Sequence, residues 1–537
     1  MAAFLSLLPF VAAAVAFAQS PSATVSWNNV TGTANQAFPT DVGFLGTMGY
    51  GEQPYNAQND KLNSSEFLQT YGIETRWKPK DADQDKANSD DIFRNLGTTS
   101  PYRAADDLFP ETNQYRNLPD ECVIKQVHVV HRHGARYPTS ETSEGAPMFG
   151  EVIANATKDN KLGASGDLDF LKQWKYPIGA EVLVHQGAQE LFDSGVKMFY
   201  DYGKLLDNKT DHKIVVRTTS QSRMLDSARY WTLGFFGWNA PQQVDIEVLT
   251  EYENQNNSLA PYEVCTNSNK DSFRIGDALA VQWREKYTAD AVKRLQPMLK
   301  GVKLNAKLVY GMMSLCAYET VGVGYSNFCN LFTKKEYEGY EYDIDLQFQG
   351  DYGFMNPTGK AQGVSLANEV IDRMSQTEFD QAAGLENTTL NKNKTYFPVD
   401  QRLYVDFTHD DVIQSLLTAF NYSQVADYLP IDKPDPNRRY RSSRVTPFGA
   451  RLVFEVMDCG KSGNATRYLR TKINEAVVPM DQDQGCSETK PNGLCKFNEF
   501  INHQKQNAIK DAKFQLVCFG KNGTDFTVTG PVTNGTV

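Results

Sequence analysis

The sequence predicts an α/β three-layer sandwich, a central mixed sheet flanked by helices, carrying an α-helical insertion. Two observations lead there. An apolar strand-like run, a polar turn and an amphipathic helix follow one another three times, and the patterns between about residues 240 and 395 are mostly helical. A third observation points to where function lies: the three turns read RHGAR, RTTSQSR and THDD, all rich in unusual polar residues. In open α/β sheets ligands bind beyond the carboxyl ends of the strands, which is where such turns sit.

In chain order, CVIKQVHVV at 122–130 reads as a buried strand, stopped by Gly134 and Pro138. The stretch 179–206, GAEVLVHQGAQELFDSGVKMFYDYGKLL, reads as a helix. KIVVRTTS gives the second strand, and SRMLDSARYWTLGFF behind it sets Leu225, Ala228, Trp231 and Phe235 at helical spacing. RLYVDF gives the third, followed by Ile413, Leu416, Leu417 and Phe420 on one helix face. DALAVQWREKYTADAVKRLQPML typifies the insertion, read as one wall of a cleft, and RLVFEVMDC and RYLRTKINEAVVP are read as later strands. The core is expected to begin near Tyr102.

Of 537 residues 40% are hydrophobic and 12% aromatic, as in an ordinary globular chain. Against 54 basic residues stand 65 acidic ones, a net charge of −11, which argues against a nucleic-acid partner. Residues 1–18 are apolar and end in Ala16-Phe17-Ala18, a signal-peptidase pattern, although the run has no Lys or Arg at its start. A retained membrane anchor is the alternative; the run is short for one and is broken by Pro9.

Sequons at Asn29, Asn63, Asn155, Asn208, Asn256, Asn387, Asn393, Asn421, Asn464, Asn522 and Asn534 agree with secretion and glycosylation. So do eight cysteines, an even number allowing four disulfides, with no CxxC to suggest zinc or redox chemistry. No apolar tail of the GPI-anchor kind follows TVTGPVTNGTV, and no membrane partner is expected. Residues 19–90 form a polar extension, 91–520 a catalytic domain with its insertion at about 240–395, and 521–537 a tail.

The first turn raises a chemical question. HVVHRHGARYP holds three histidines and two arginines in eleven residues. His131 and His133, two apart on a strand, suit a zinc ion; a nucleophilic imidazole in an anion pocket is the other answer. Guanidinium forks fit phosphate oxygens, and Gly134 lets backbone amides approach an anion closely. Surrounding positive charge repels a metal and keeps imidazole neutral, hence nucleophilic, at acid pH. His133 between Arg132 and Arg136 therefore reads as a nucleophile.

RHGARYP at Arg132, His133, Arg136 and Pro138, with THDD supplying His409 and Asp410, resembles the histidine acid phosphatases, and most the secreted fungal acid phosphatase and phytase branch. The likeness spans roughly residues 92–518. It implies an α/β domain with a helical insertion, His133 as nucleophile, Asp410 as proton donor, and Arg132, Arg136, Arg223 and His409 as phosphate ligands. No metal and no cofactor is implied. The resemblance further implies disulfides joining Cys122 with Cys459, Cys265 with Cys518, Cys316 with Cys329, and Cys486 with Cys495.

Neighbouring candidates have plainer readings. His131 reads as a buried, hydrogen-bonded support, His128 as packing, Arg217 as a structural ion-pair partner and Asp411 as a helix N-terminal acid; His185, His212 and His503 are not assigned to catalysis. The substrate reading rests on one stretch. Phytate-selective relatives carry lysines soon after the RHGxRxP motif, whereas TSETSEGAPMFGEVIANATK places Glu141, Glu144 and Glu151 before its first lysine, Lys158. A broad-specificity acid phosphatase acting on small phosphate esters comes first, phytase second. A non-catalytic secreted glycoprotein that binds phosphate or polyanions is the alternative from another class.

Overall fold

The computed structural model describes residues 89–140, 145–206, 213–252, 255–461 and 463–520. The expected signal peptide and most of the polar extension lie outside these residues. So do Glu141, Glu144, His212, the tail, and the sequons at Asn29, Asn63, Asn208, Asn522 and Asn534.

Among the described residues ten strands form: β1 Cys122–Arg132, β2 Gly163–Ala164, β3 Ile214–Thr219, β4 Val244–Leu249, β5 Leu299–Lys300, β6 Leu403–Thr408, β7 Arg451–Cys459, β8 Thr466–Ile473, β9 Ala476–Val477 and β10 Cys495–Lys496. Eight of them make one sheet in the order β10-β8-β7-β1-β6-β3-β4, with β9 beside β8; β2 and β5 pair separately. β1 runs parallel to β6 and antiparallel to β7, while β3 is parallel to both β6 and β4. The parallel strands β1, β6, β3 and β4 therefore finish at one edge, with Arg132 opposite Thr408 and Thr219 opposite Leu249.

Side chains alternate along each strand, so the sheet needs cover on both faces. Helices α2 (His185–Tyr202) and α3 (Ser222–Phe236) cover one face, where Leu191, Met198, Met224 and Trp231 meet Val127, Val129, Val216 and Phe407. Helices α7 (Gly359–Met374) and α8 (Asp410–Ala419) cover the other, where Leu366, Val370, Leu416 and Phe420 meet Val130, Leu452 and Phe454. Each such fully buried side chain contributes about 1.5–3 kcal/mol.

A separate apolar core joins α1 (Ala146–Lys158), α5 (Ala306–Val323) and α6 (Lys334–Asp351) through Phe149, Ile153, Met312, Leu315 and Tyr337. Helix α4 (Ile275–Tyr287) lies against α6, and Arg284 pairs with Asp343 across them at 2.7 Å. Polar residues define the helix starts. Asn305 accepts from the Leu308 amide at 2.9 Å, and Thr333 with Glu336 forms a reciprocal capping box.

Three expectations are corrected. The core begins before Tyr102, since Ile92, Phe93 and Leu96 are buried with the helical core. The block at about 240–395, read as a mostly helical insertion, also builds the central layer: it contains β4, a strand of the central sheet, and α7, which packs on that sheet. Helix α2 starts at His185, because 181–184 is hydrogen-bonded to 135–138 instead, with Leu183 bridging Arg136. All eight cysteines are paired, Cys122 with Cys459, Cys265 with Cys518, Cys316 with Cys329 and Cys486 with Cys495. Among the described residues no helix is long and apolar enough to cross a membrane.

Candidate active site

The edge where the parallel strands end gathers the residues of the three polar turns. β1 delivers Arg132 and then His133; β6, beside it, delivers His409 as the N-cap of α8; Arg223 lies in the first turn of α3, behind β3. The His133 and His409 rings are 5.8 Å apart. Arg132 and His133 are each 1% exposed, Arg136 8%, Arg223 6% and His409 4%. Buried cationic groups need anionic partners, and the protein supplies some itself: Asp410 meets Arg132 and Glu181 meets Arg223, each at 2.6 Å.

Hydrogen bonds fix the His133 ring. Its Nδ1 lies 2.8 Å from the Gly134 carbonyl, which can only accept, so Nδ1 carries the hydrogen and Nε2 keeps a free lone pair. Burial holds this imidazole well below its ordinary value, and the nearby charges of Arg132, Arg223, Arg136 and His409 push the same way. A neutral ring with an open nitrogen is a nucleophile. Arg132 is anchored by the Thr98 and Thr446 carbonyls, by Asp410 at 2.6 Å and by the Phe448 ring at 4.8 Å. The Nε atoms of Arg132 and Arg223 are buried without a hydrogen-bond partner among the described residues.

The other candidates separate cleanly. His131 has both ring nitrogens engaged, Nδ1 by the Arg132 carbonyl and Nε2 by the Ser194 hydroxyl, each at 2.7 Å, so neither is left for a metal. Burial and Arg451 hold its pKa down at about 3. His128 stacks on Tyr404 at 4.5 Å. Arg217 is locked to Asp406 and Glu369, each at 2.7 Å, beneath the site. His503 bonds the Asp483 carbonyl at 3.1 Å, and His185 opens α2.

Gly134 has a different role from the one expected. Its amide faces Ser227 Oγ at 3.3 Å and the Ala135 amide donates to Glu190 at 2.8 Å, so neither amide is offered to an anion. The glycine instead permits close packing: a Cβ there would lie 2.4 Å from the Gly187 carbonyl oxygen of α2.

Sequence reasoning missed three carboxylates. Glu251, just beyond β4, meets His409 Nε2 at 3.1 Å and accepts from Gln221 at 2.8 Å and Tyr262 at 2.9 Å. Burial pushes this carboxyl up, but His409 and its hydrogen bond outweigh that and hold it below the usual range. Glu181 pairs with Arg223 at 2.6 Å. Glu190, beside the nucleophile loop, is pushed up to about 7 by burial. Their partners lie tens to hundreds of residues away, so no local pattern marks them.

Residues 123–474 match the family described as Histidine phosphatase superfamily (branch 2). The chain belongs to this superfamily. It is 31% identical to Phytase A of Aspergillus oryzae over 422 residues, 75% of this chain and 86% of that protein. To the thiamine-repressible acid phosphatase of Schizosaccharomyces pombe it is 28% identical over 433 residues, 76% of this chain and 86% of that one. In fold it is similar to the phytase from D. castellii, with TM-score 0.62 and 22% identity over 85% of this chain and 97% of that one. It also resembles the Multiple Inositol Polyphosphate Phosphatase of Bifidobacterium longum, with TM-score 0.55 and 13% identity over 80% and 99%. As a histidine phosphatase of this branch the chain is a phosphoric monoester hydrolase.

Proposed function

We propose that the chain is a secreted acid phosphatase of broad specificity that works through a phosphohistidine at His133. The observation that carries this reading is the His133–Gly134 hydrogen bond, which leaves Nε2 unprotonated among guanidinium groups. Nε2 attacks phosphorus, the P–O bond to the alcohol breaks, and Asp410 gives that oxygen a proton. Water then attacks phosphorus as the P–N bond breaks, Asp410 takes a proton from that water, and phosphate leaves with the His133 Nε2 lone pair restored. Arg132, Arg136, Arg223 and His409 stabilise the phosphoryl oxygens throughout, so the site acts mainly by positioning and charge. The chemistry needs no cofactor.

A second reading, phytase, is favoured by relatives named Phytase A. The acids of the stretch after RHGARYP weigh for smaller esters. Eight paired cysteines and exposed sequons at Asn155, Asn256, Asn393 and Asn464 support an extracellular location.

The test is hydrolysis of p-nitrophenyl phosphate and phytate side by side across pH, with His133→Ala as control. The acid phosphatase reading expects both esters to be cleaved with the small one preferred, turnover to vanish in the variant, and activity to survive prolonged EDTA treatment. A marked preference for phytate moves the assignment to the second reading. A wild-type protein that binds phosphate and cleaves neither ester would be the non-catalytic glycoprotein.

A further inference from the structure

We propose that Glu181 is a positioning residue that ties Arg223 to the nucleophile loop and aims one edge of its guanidinium at the phosphoryl group. This rests on the reading above that Arg223 holds phosphate. Glu181 Oε2 takes Arg223 Nη1 at 2.6 Å, and its backbone carbonyl lies 3.4 Å from the same nitrogen. Oε1 accepts from the Ser140 amide at 2.8 Å and the Ser140 hydroxyl at 3.3 Å. One carboxylate thus joins the end of the RHGARYP segment to an arginine on another element.

The backbone around it is built for the same purpose. The Glu181 amide donates to the Pro138 carbonyl at 2.9 Å, Tyr137 donates to Val182 at 3.0 Å, and Val184 to Ala135 at 3.0 Å. Segment 181–184 therefore lies alongside 135–138, strapped to the loop that carries His133. At φ 72° Glu181 sits in the left-handed region that favours glycine, and it is only 8% exposed. A non-glycine residue held there by surrounding bonds is the kind of costly feature that persists when its side chain has a function.

Guanidinium geometry completes the argument. With Nη1 occupied by Glu181, the opposite edge of the fork, Nε and Nη2, is the one free to take two oxygens of an anion. Arg223 Nε is buried with no partner among the described residues. Besides the neutral His133 ring, the charged groups facing Arg223 include Glu181, Glu251 and Arg132, so loss of Glu181 removes its one direct ion pair among the described residues and leaves the guanidinium to reorient.

The experiment is a double-mutant cycle on Glu181 and Arg223, read as the inhibition constant of inorganic phosphate and as KM and kcat for p-nitrophenyl phosphate. Glu181→Gln keeps the acceptor for Ser140 and removes the ion pair; Glu181→Gly suits the left-handed backbone and guards against misfolding. Each should weaken phosphate inhibition and raise KM by about tenfold, the size of one charge-assisted contact, with a smaller loss in kcat and a thermal midpoint near wild type for the glycine variant. In an Arg223→Ala background Glu181→Gln should add nothing. Equal effects in both backgrounds, or none in either, overturn the positioning role. Unchanged phosphate inhibition in Arg223→Ala alone overturns the pocket assignment, and this inference with it.

Discussion

At the scale of residues, the sharpest question is which acid of THDD gives the leaving group its proton. Asp410 contacts Arg132, one of the proposed phosphate ligands, at 2.6 Å. Asp411 is the rival: burial, with Asp410 adding to it, pushes its carboxyl up to about 7, and its Oδ1 accepts from the Val412 amide at 2.8 Å. An aryl oxide departs with little proton help, while a sugar alkoxide needs it. Asp410→Asn should therefore slow the phosphorylation burst with an alkyl phosphate by ~100-fold, and far less with p-nitrophenyl phosphate. If Asp411→Asn shows that selectivity instead, the proton donor is Asp411. The motif residues were legible because RHGARYP and THDD are dense in chemistry-bearing types. Glu181, Glu190 and Glu251 were not, since a lone acid in a loop or on a helix is ordinary and only the fold brings each to its partner.

Among elements, strands were easier to read than helix starts. β1, β3, β6 and β7 announce themselves as apolar runs because both faces of their sheet are covered, and α3 coincides with its periodic stretch. Helix α2 was read six residues too early. Val182 and Leu183 fit a helical pattern, but hydrogen bonding to the nucleophile loop holds them out of the helix, and that partner is invisible to local spacing. The same contact makes α2 a structural gauge for the site. A Cβ on Gly187 would lie 2.0 Å from the Ala135 carbonyl oxygen, so the helix must move off the loop. Gly187→Ala should cost ~1–3 kcal/mol in denaturant unfolding and depress kcat/KM sharply. Gly237→Ala, in open space at φ +63°, should cost stability with no change in kcat/KM. Equal kinetics in the two variants would separate α2 from catalysis.

The whole molecule carries a charge balance that sets its pH response. Burial pushes Glu190, Glu319 and Asp411 up to about 7, and Glu247 and Asp351 up to about 8. Each raised carboxyl keeps a proton that the unfolded chain has released. Its stabilisation is complete below the unfolded value of about 4 and is lost as pH rises through the folded value. His128, His131 and His133 act oppositely: burial keeps them neutral when folded, so they oppose folding below about 6.5 and are silent above it. From about pH 6.5 to 8 only the carboxyls act among these groups, and stability should fall. Thermal unfolding at pH 6.5 and 8 checks this; a higher midpoint at pH 8 would refute it.

The position of β1 has a consequence for how the chain is made. Its partners in the sheet are β6 on one side and β7 on the other, and the Cys122–Cys459 link closes across 337 residues. At a ribosomal pace of about 5–20 residues per second, the nucleophile strand emerges roughly 20–70 s before its last partner. Until β6 emerges this eleven-residue, largely apolar run lacks both of its native sheet partners, and from then until β7 is complete it still lacks the second. A chain terminated before Arg451 should therefore be retained by chaperones or aggregate, even though it already holds every residue of the two catalytic motifs.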